Sequence, residues 1–224
     1  MTKDINSPEH NDNRNYDYTG IESEVRKEYE VIEGFIDTPS SIIDLGCGNG
    51  SLLHSLMQKG KCTRAVGLEI SESGVEISKK KGIDARLGRI DETLPFADEE
   101  FDLSVCNVTI QMVMYPEVLL KEMKRISKKQ IVSFPNFGFY RNRLDMLLHG
   151  RMPKPCMFGY SWYSTGHIHQ LSISDFKELV ESVGGLEIEK FSTVFSNNSF
   201  KDTLTGMIPN LFSLLPLFLL RKTA

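Results

Sequence analysis

Residues 41–50, SIIDLGCGNG, constrain this chain more than any other stretch. Ile42 and Ile43 are apolar and β-branched, so the run opens as a short buried strand, closed by Asp44 and Leu45. Gly46, Gly48 and Gly50 then alternate with Cys47 and Asn49. Such a turn leaves its backbone bare of Cβ atoms and open to close approach by a ligand. Ser51 is placed to cap a helix over residues 52–59. Strand, glycine turn and helix start, in that order, make a nucleotide site of an open α/β sheet. The spacing is D-x-G-x-G-x-G, not the G-x-G-x-x-G of a dinucleotide fold. It puts a carboxylate at the strand end, which opposes a phosphate and favours a cation.

The rest of the chain falls into place around this turn. Residues 64–69 (RAVGLE) read as a second strand ending in Glu69, with Ile70 after it. An acid about 20 residues past the loop is where α/β nucleotide sites hold ribose hydroxyls. Ser71 caps a helix over residues 72–81, stopped by Gly82, and Lys79, Lys80 and Lys81 read as its solvated end. Residues 84–88 give a third strand, 103–107 a fourth and 130–135 a fifth, with a helix opened by Pro116 between the last two. Asn107, Thr109 and Gln111 stand at the carboxyl end of the fourth strand, where open α/β sheets bind ligands, although they are equally ordinary turn formers. Strands alternating with helices predict a parallel sheet with helices on both faces.

Upstream, residues 1–20 are polar and predict a disordered arm before one domain over 21–224, with Tyr16 and Tyr18 placed to order over a ligand. Ile21, Val25, Ile32 and Ile36 recur at helical spacing until Thr38-Pro39-Ser40 breaks the pattern. Downstream, residues 140–149 read as a helix bearing Arg141 and Arg143, and Arg151 and Lys154 follow on a loop. They form a basic surface on a chain of net charge −4, fit for an anionic substrate or an acidic partner. Trp162 and Tyr163 on a polar loop are residues that anchor interfaces or cover pockets. His167 and His169 invite a metal reading, but no third ligand stands at a suitable spacing, so no metal is expected. Ser174 is placed to cap a further helix, and residues 186–191 read as a sixth strand.

The motif DLGCGNG resembles motif I of the class I S-adenosylmethionine-dependent methyltransferases. The resemblance implies a mostly parallel seven-stranded Rossmann-like sheet with S-adenosylmethionine as cofactor. It implies a site from Asp44, Gly46, Gly48, Gly50, Glu69, Ile70 and Asn107, with backbone groups of Arg89 and Ile90 on the adenine. Where the family usually has Asp after the third strand, this chain has Arg89. Residues 92–102 (ETLPFADEEFD) resemble the L-P-F-x-D-x-x-F-D segment of small-molecule methyltransferases.

Beyond Ser133 the chain resembles the methionine-biosynthesis MetW family. The likeness is carried by residues 133–138 (SFPNFG), Arg143 and Leu144, residues 150–153 (GRMP), Trp162, Tyr163, Thr165, Ile168 and His169. It implies a protein of methionine synthesis that works beside homoserine O-acetyltransferase. Arg143, Arg151, Trp162, Tyr163 and His169 would then form a partner or acceptor surface. The alternative is a methyltransferase acting on an unidentified small molecule. By the same analogy residues 217–222 would be an antiparallel seventh strand with Pro216 at its start; the competing reading is a short apolar docking helix. An acidic balance gives no general nucleic-acid affinity. Cys47, Cys62, Cys106 and Cys156 make no C-x-x-C, there is no apolar leader, and the apolar run 211–220 is too short to span a bilayer. A cytoplasmic location is the expectation that follows.

Overall fold

The computed structural model describes residues 17–23, 25–154, 162–163, 165–194 and 199–223, without the side chains of 199–202. Most of the expected N-terminal arm, residues 1–16, lies outside them. Among the described residues the strands are β1 (Ser40–Leu45), β2 (Cys62–Glu69), β3 (Asp84–Leu87), β4 (Phe101–Asn107), β5 (Ser127–Ser133), β6 (Leu186–Thr193) and β7 (Pro216–Lys222). They form one seven-stranded sheet in the order β3-β2-β1-β4-β5-β7-β6. β1 pairs in parallel with β2 and β4, and β4 with β5, while β7 runs antiparallel between β5 and β6.

The helices are α1 (Glu28–Gly34), α2 (Ser51–Gln58), α3 (Glu72–Lys80), α4 (Pro116–Ile126), α5 (Tyr140–His149), α6 (Ile173–Val183), α7 (Ser199–Met207) and α8 (Pro209–Phe212). Two cores result, one on each face of the sheet. Ile32 and Ile36, the α2 leucines 52, 53 and 56, and Val75 pack on Ile42, Val105, Leu217 and Leu219. Leu119, Leu120 and Met123 of α4 and Phe176 and Val180 of α6 pack on Ile43, Val66, Phe134 and Phe218. Successive strand residues alternate between the faces, which is why central strands read as unbroken apolar runs.

The apolar tail resolves as a strand. Leu217–Leu220 are all buried between β5 and β6, and Pro216 opens β7 opposite Thr193, where no ladder donor is needed. Several local expectations change, among them the fifth strand, which runs Ser127–Ser133 and stops short of Pro135. The first helix begins only at Glu28, and Val25 is 95% exposed, because the chain around Ile21 is drawn onto the glycine loop instead. α6 is capped by Ser172, not Ser174: Ser172 Oγ accepts from Asp175 N–H and the Asp175 carboxylate accepts from Ser172 N–H, a capping box. α2 has no side-chain cap from Ser51, which is its first residue; Gly50 stands at the cap in the left-handed region.

Candidate cofactor site

The site lies where the strand order reverses, at the carboxyl ends of β1 and β4, the usual crevice of an open α/β sheet. After β1 the backbone folds back on β2, with Gly46 N–H and Cys47 N–H both donating to Leu68 C=O (2.8 and 3.2 Å). Gly46 has φ +85°, and a Cβ there would sit 2.6 Å from the Thr109 methyl. Gly48 has φ +55°, and a Cβ there would sit 3.0 Å from Tyr18 Oη. Both positions therefore require glycine on conformational and steric grounds. Asn49 supplies what Ser51 was expected to give: its Oδ1 accepts from Ser51 N–H (3.2 Å) and Ser51 Oγ–H (2.7 Å).

The carboxylates define the electrostatics. Glu69 is buried at the end of β2; its Oε2 accepts from Gly48 N–H (2.8 Å), and its Oε1 from Ile70 N–H (2.9 Å) and Ser71 N–H (3.0 Å). A carboxylate offers about four acceptor positions, so one remains open. Burial pushes the Glu69 carboxyl up, against these three bonds. Asp44, at the end of β1, is 2% exposed, and its Oδ1 has no hydrogen-bond partner among the described residues. Its pKa is pushed up to about 7, chiefly by burial and further by the Glu69 charge, with Arg26 opposing. Two buried acids, one with an oxygen unpartnered among the described residues, stand together beside the bare loop and favour a cationic ligand over an anionic one.

Several contributors were not legible in the sequence as site residues. Ser73 Oγ accepts from Tyr18 N–H (2.9 Å), and Asn49 Nδ2 donates to Ile21 C=O (2.8 Å), so the chain around residues 18–21 crosses the loop. Lys81 is not merely a solvated helix end: its Nζ donates to Asn49 C=O (2.6 Å) and Ser51 Oγ (3.2 Å). Ser78 Oγ donates to Gly48 C=O (3.2 Å). The only available signal was position: both lie one helix beyond the loop.

Past the third strand, the Arg89 guanidinium forks onto Asp91 (2.9–3.1 Å), and the Asp91 carboxylate also accepts from Met114 N–H (2.8 Å). The Ile90 side chain is buried in the core, whereas Ile70 is 40% exposed. Asn107 Oδ1 accepts from Ser133 Oγ–H (2.6 Å). The next residue, Val108, is held at φ +55°, a region costly for a β-branched side chain, by N–H bonds to Ser133 C=O and Oγ (3.1 and 3.0 Å). Gln111 is buried, and its Oε1 is also unpartnered among the described residues.

Among the described residues, the expected partner or acceptor residues make separate contacts. Ile168 and His169 N–H both donate to Gln111 C=O, and His169 Nε2 lies 3.4 Å from Met114 C=O, which seats His169 beyond β4. Arg143 is on α5 and donates to Gly138 C=O. Arg151 lies 3.5 Å from Asp145, which also holds His149. Trp162 and Tyr163 are exposed and meet edge to face at 5.7 Å. The signature around Asn136 is structural: its buried side chain donates to Asn210 and Ser213 C=O (3.1 and 2.8 Å) and accepts from Gly138 N–H (2.9 Å), tying α5 to the tail. No group of metal-ligating side chains occurs among the described residues.

A doubly wound sheet with its last strand antiparallel, a bare glycine loop after β1 and buried acids ending β1 and β2 define the class I S-adenosylmethionine-dependent methyltransferase fold. Solved structures agree: a Thermotoga maritima methyltransferase matches with TM-score 0.61 at 19% identity over 88% of each chain. Geranyl diphosphate C-methyltransferase from Streptomyces coelicolor, solved with S-adenosyl-L-homocysteine, matches with TM-score 0.63 at 13% identity over 88% of this chain and 78% of its own. The chain belongs to the family of the methionine biosynthesis protein MetW, whose model matches residues 26–220. The bifunctional methionine biosynthesis protein MetXA/MetW of Rhodopirellula baltica is 34% identical over 160 residues, 67% of this chain. Trans-aconitate 2-methyltransferase of Mycolicibacterium gilvum is 34% identical over 84 residues, 37% of this chain. The chain spans only 26% and 32% of those two relatives.

Proposed function

We propose that this chain binds S-adenosylmethionine on the 46–50 loop and acts in methionine synthesis through a homoserine O-acetyltransferase. The buried Asp44 carboxylate beside the glycine turn, whose Oδ1 has no hydrogen-bond partner among the described residues, carries the cofactor half of this reading. A ligand with an ammonium and a sulfonium answers that need, and a phosphate does not. Asp44 would hold the ammonium side, the backbone of Gly46 and Gly48 would cradle the chain, and the open position on Glu69 would take a ribose hydroxyl. Asn107, Ile70 and backbone groups of Arg89 and Ile90 complete the proposed contacts. The cofactor supplies an already activated methyl group, so the protein's task is to position an acceptor and exclude water.

The partner half is supported by the relative in which a MetW part is joined in one chain to a MetXA part. A second reading, methyl transfer to a small molecule, is favoured by Val108 and Gln111. Backbone strain and an orphaned buried carbonyl stand together beyond β4, where an acceptor would lie. Calorimetry with S-adenosylmethionine and S-adenosylhomocysteine tests the cofactor; no binding at millimolar ligand refutes it. Acetyl-transfer rates of the purified acetyltransferase, with and without this chain, separate the two roles. An acetyltransferase that neither binds nor responds refutes the partner reading and leaves the orphan methyltransferase.

A further inference from the structure

Helix α5 is amphipathic the wrong way round for a helix of a monomer. Its one buried side chain is Asn142, which donates to Asn136 and Phe137 C=O. At 100° per residue, the face opposite Asn142 carries Leu144, Leu147 and Leu148, with Tyr140 at its start, half-buried against Phe139 and Phe212. Leu147 is 79% and Leu148 71% exposed, and Leu144 is exposed as well. An isolated surface leucine is unremarkable, but an i, i+3, i+4 stripe of them on a helix held by its polar face is the pattern of an unpartnered contact.

The charges beside the stripe indicate what fits it. Arg141 and Arg143 lie on its two sides. Arg141 donates to the Tyr140 hydroxyl, and Arg143 donates to Gly138 and Asn210 C=O. No carboxylate lies within 4.0 Å of either among the described residues. The nearest acid on the helix, Asp145, is already taken by His149 and Arg151. An apolar stripe edged by two uncompensated guanidinium groups matches a surface that offers apolar side chains rimmed by carboxylates.

We infer that the Tyr140–Leu144–Leu147–Leu148 face of α5 is the surface through which this chain docks on the acetyltransferase, against an apolar, acid-rimmed patch. The inference rests on the partner reading above. The helix is rigidly footed on the tail through Asn136, Asn142 and Asn210, so docking needs no prior folding of this element.

The test is titration of the purified full-length chain against the purified acetyltransferase from the same source. Leu147→Glu with Leu148→Glu should weaken binding at least 30-fold, and the milder Leu147→Ala with Leu148→Ala about tenfold. Arg141→Glu should weaken binding and flatten its dependence on salt. All variants should keep the wild-type affinity for S-adenosylmethionine, which reports folding. If the wild type binds the acetyltransferase and the alanine pair binds equally well, the face is wrongly assigned although the partner is right. If the wild type does not bind, the partner reading fails and this inference with it. Sedimentation showing a wild-type dimer that the glutamate pair dissociates, with acetyltransferase binding unchanged, would assign the face to a second copy and overturn the inference. Wild-type binding to phosphatidylglycerol vesicles, lost in the glutamate pair while acetyltransferase binding persists, would overturn it in favour of a membrane surface.

Discussion

Replacing Asp44 by asparagine tests the electrostatic logic of the site directly. The Asp44 carboxyl is raised from 3.8 to about 7 in the folded protein. The folded form therefore holds this proton more tightly than the unfolded chain, and stability falls as pH rises from about 4 to about 7. Above pH 7 the loss is complete, and at about 1.4 kcal/mol per tenfold it amounts to roughly 4 kcal/mol. An asparagine side chain cannot ionise, so the variant escapes that loss. Its amide brings two buried donors, however, whose unmade bonds cost about 1–3 kcal/mol. The expected net gain at pH 8 is about 1–3 kcal/mol, and at pH 4.5 the variant should be no more stable than the wild type. Urea unfolding of both proteins from pH 4.5 to 8.5 measures the difference. The Asp102 carboxyl, held near 2 by Lys128 and Ser41, stays ionised across this range in both proteins and cancels. The same variant should bind S-adenosylmethionine at least tenfold more weakly at pH 8, because the ammonium loses its counter-charge. Wild-type affinity should rise from pH 5 to 7 as Asp44 ionises. Parallel stability curves for the two proteins would refute the claim that burial raises the Asp44 carboxyl.

Other substitutions probe the neighbouring parts. Gly48→Val forces a β-branched residue to φ +55° against Tyr18, and should abolish cofactor binding in calorimetry while the protein still melts cooperatively. Val108→Gly removes the left-handed penalty; a shift in urea midpoint worth about 1 kcal/mol of added stability is expected, and a clear loss would mean that the side chain is needed for packing. Asn136→Ala breaks two donated bonds and one accepted bond in a fully buried group, and should lower unfolding free energy by about 2–4 kcal/mol without changing the acidic loop site. Arg89→Ala should leave cofactor affinity within a factor of about three, since the guanidinium is engaged by Asp91; a large loss would place Arg89 on the ligand.

Local rules made much of the chain legible. Apolar β-branched runs, the D-x-G-x-G-x-G turn, Ser71 as a cap and Pro116 as a helix start each depend on neighbours a few residues away, and the structure has each of them in place. The acids at the ends of β1 and β2 were also readable, since strand ends follow from the same periodicity. The segment around Ile21 was only partly readable: Tyr18 was placed to order over a ligand, but helical spacing from Ile21 onward cannot show that the Ile21 carbonyl is claimed by Asn49. The tail was undecided for a similar reason: an apolar run of this length suits a helix or a strand, and only the open slot between β5 and β6 selects the strand. Asp44 shows the division most plainly. Its identity and its place after a strand come from sequence, but its unpartnered oxygen and raised pKa come from burial beside Glu69, which is 25 residues away along the chain and adjacent only once β1 and β2 pair. Burial and Coulomb energy depend on distance through space, whereas a sequence carries only distance along the chain.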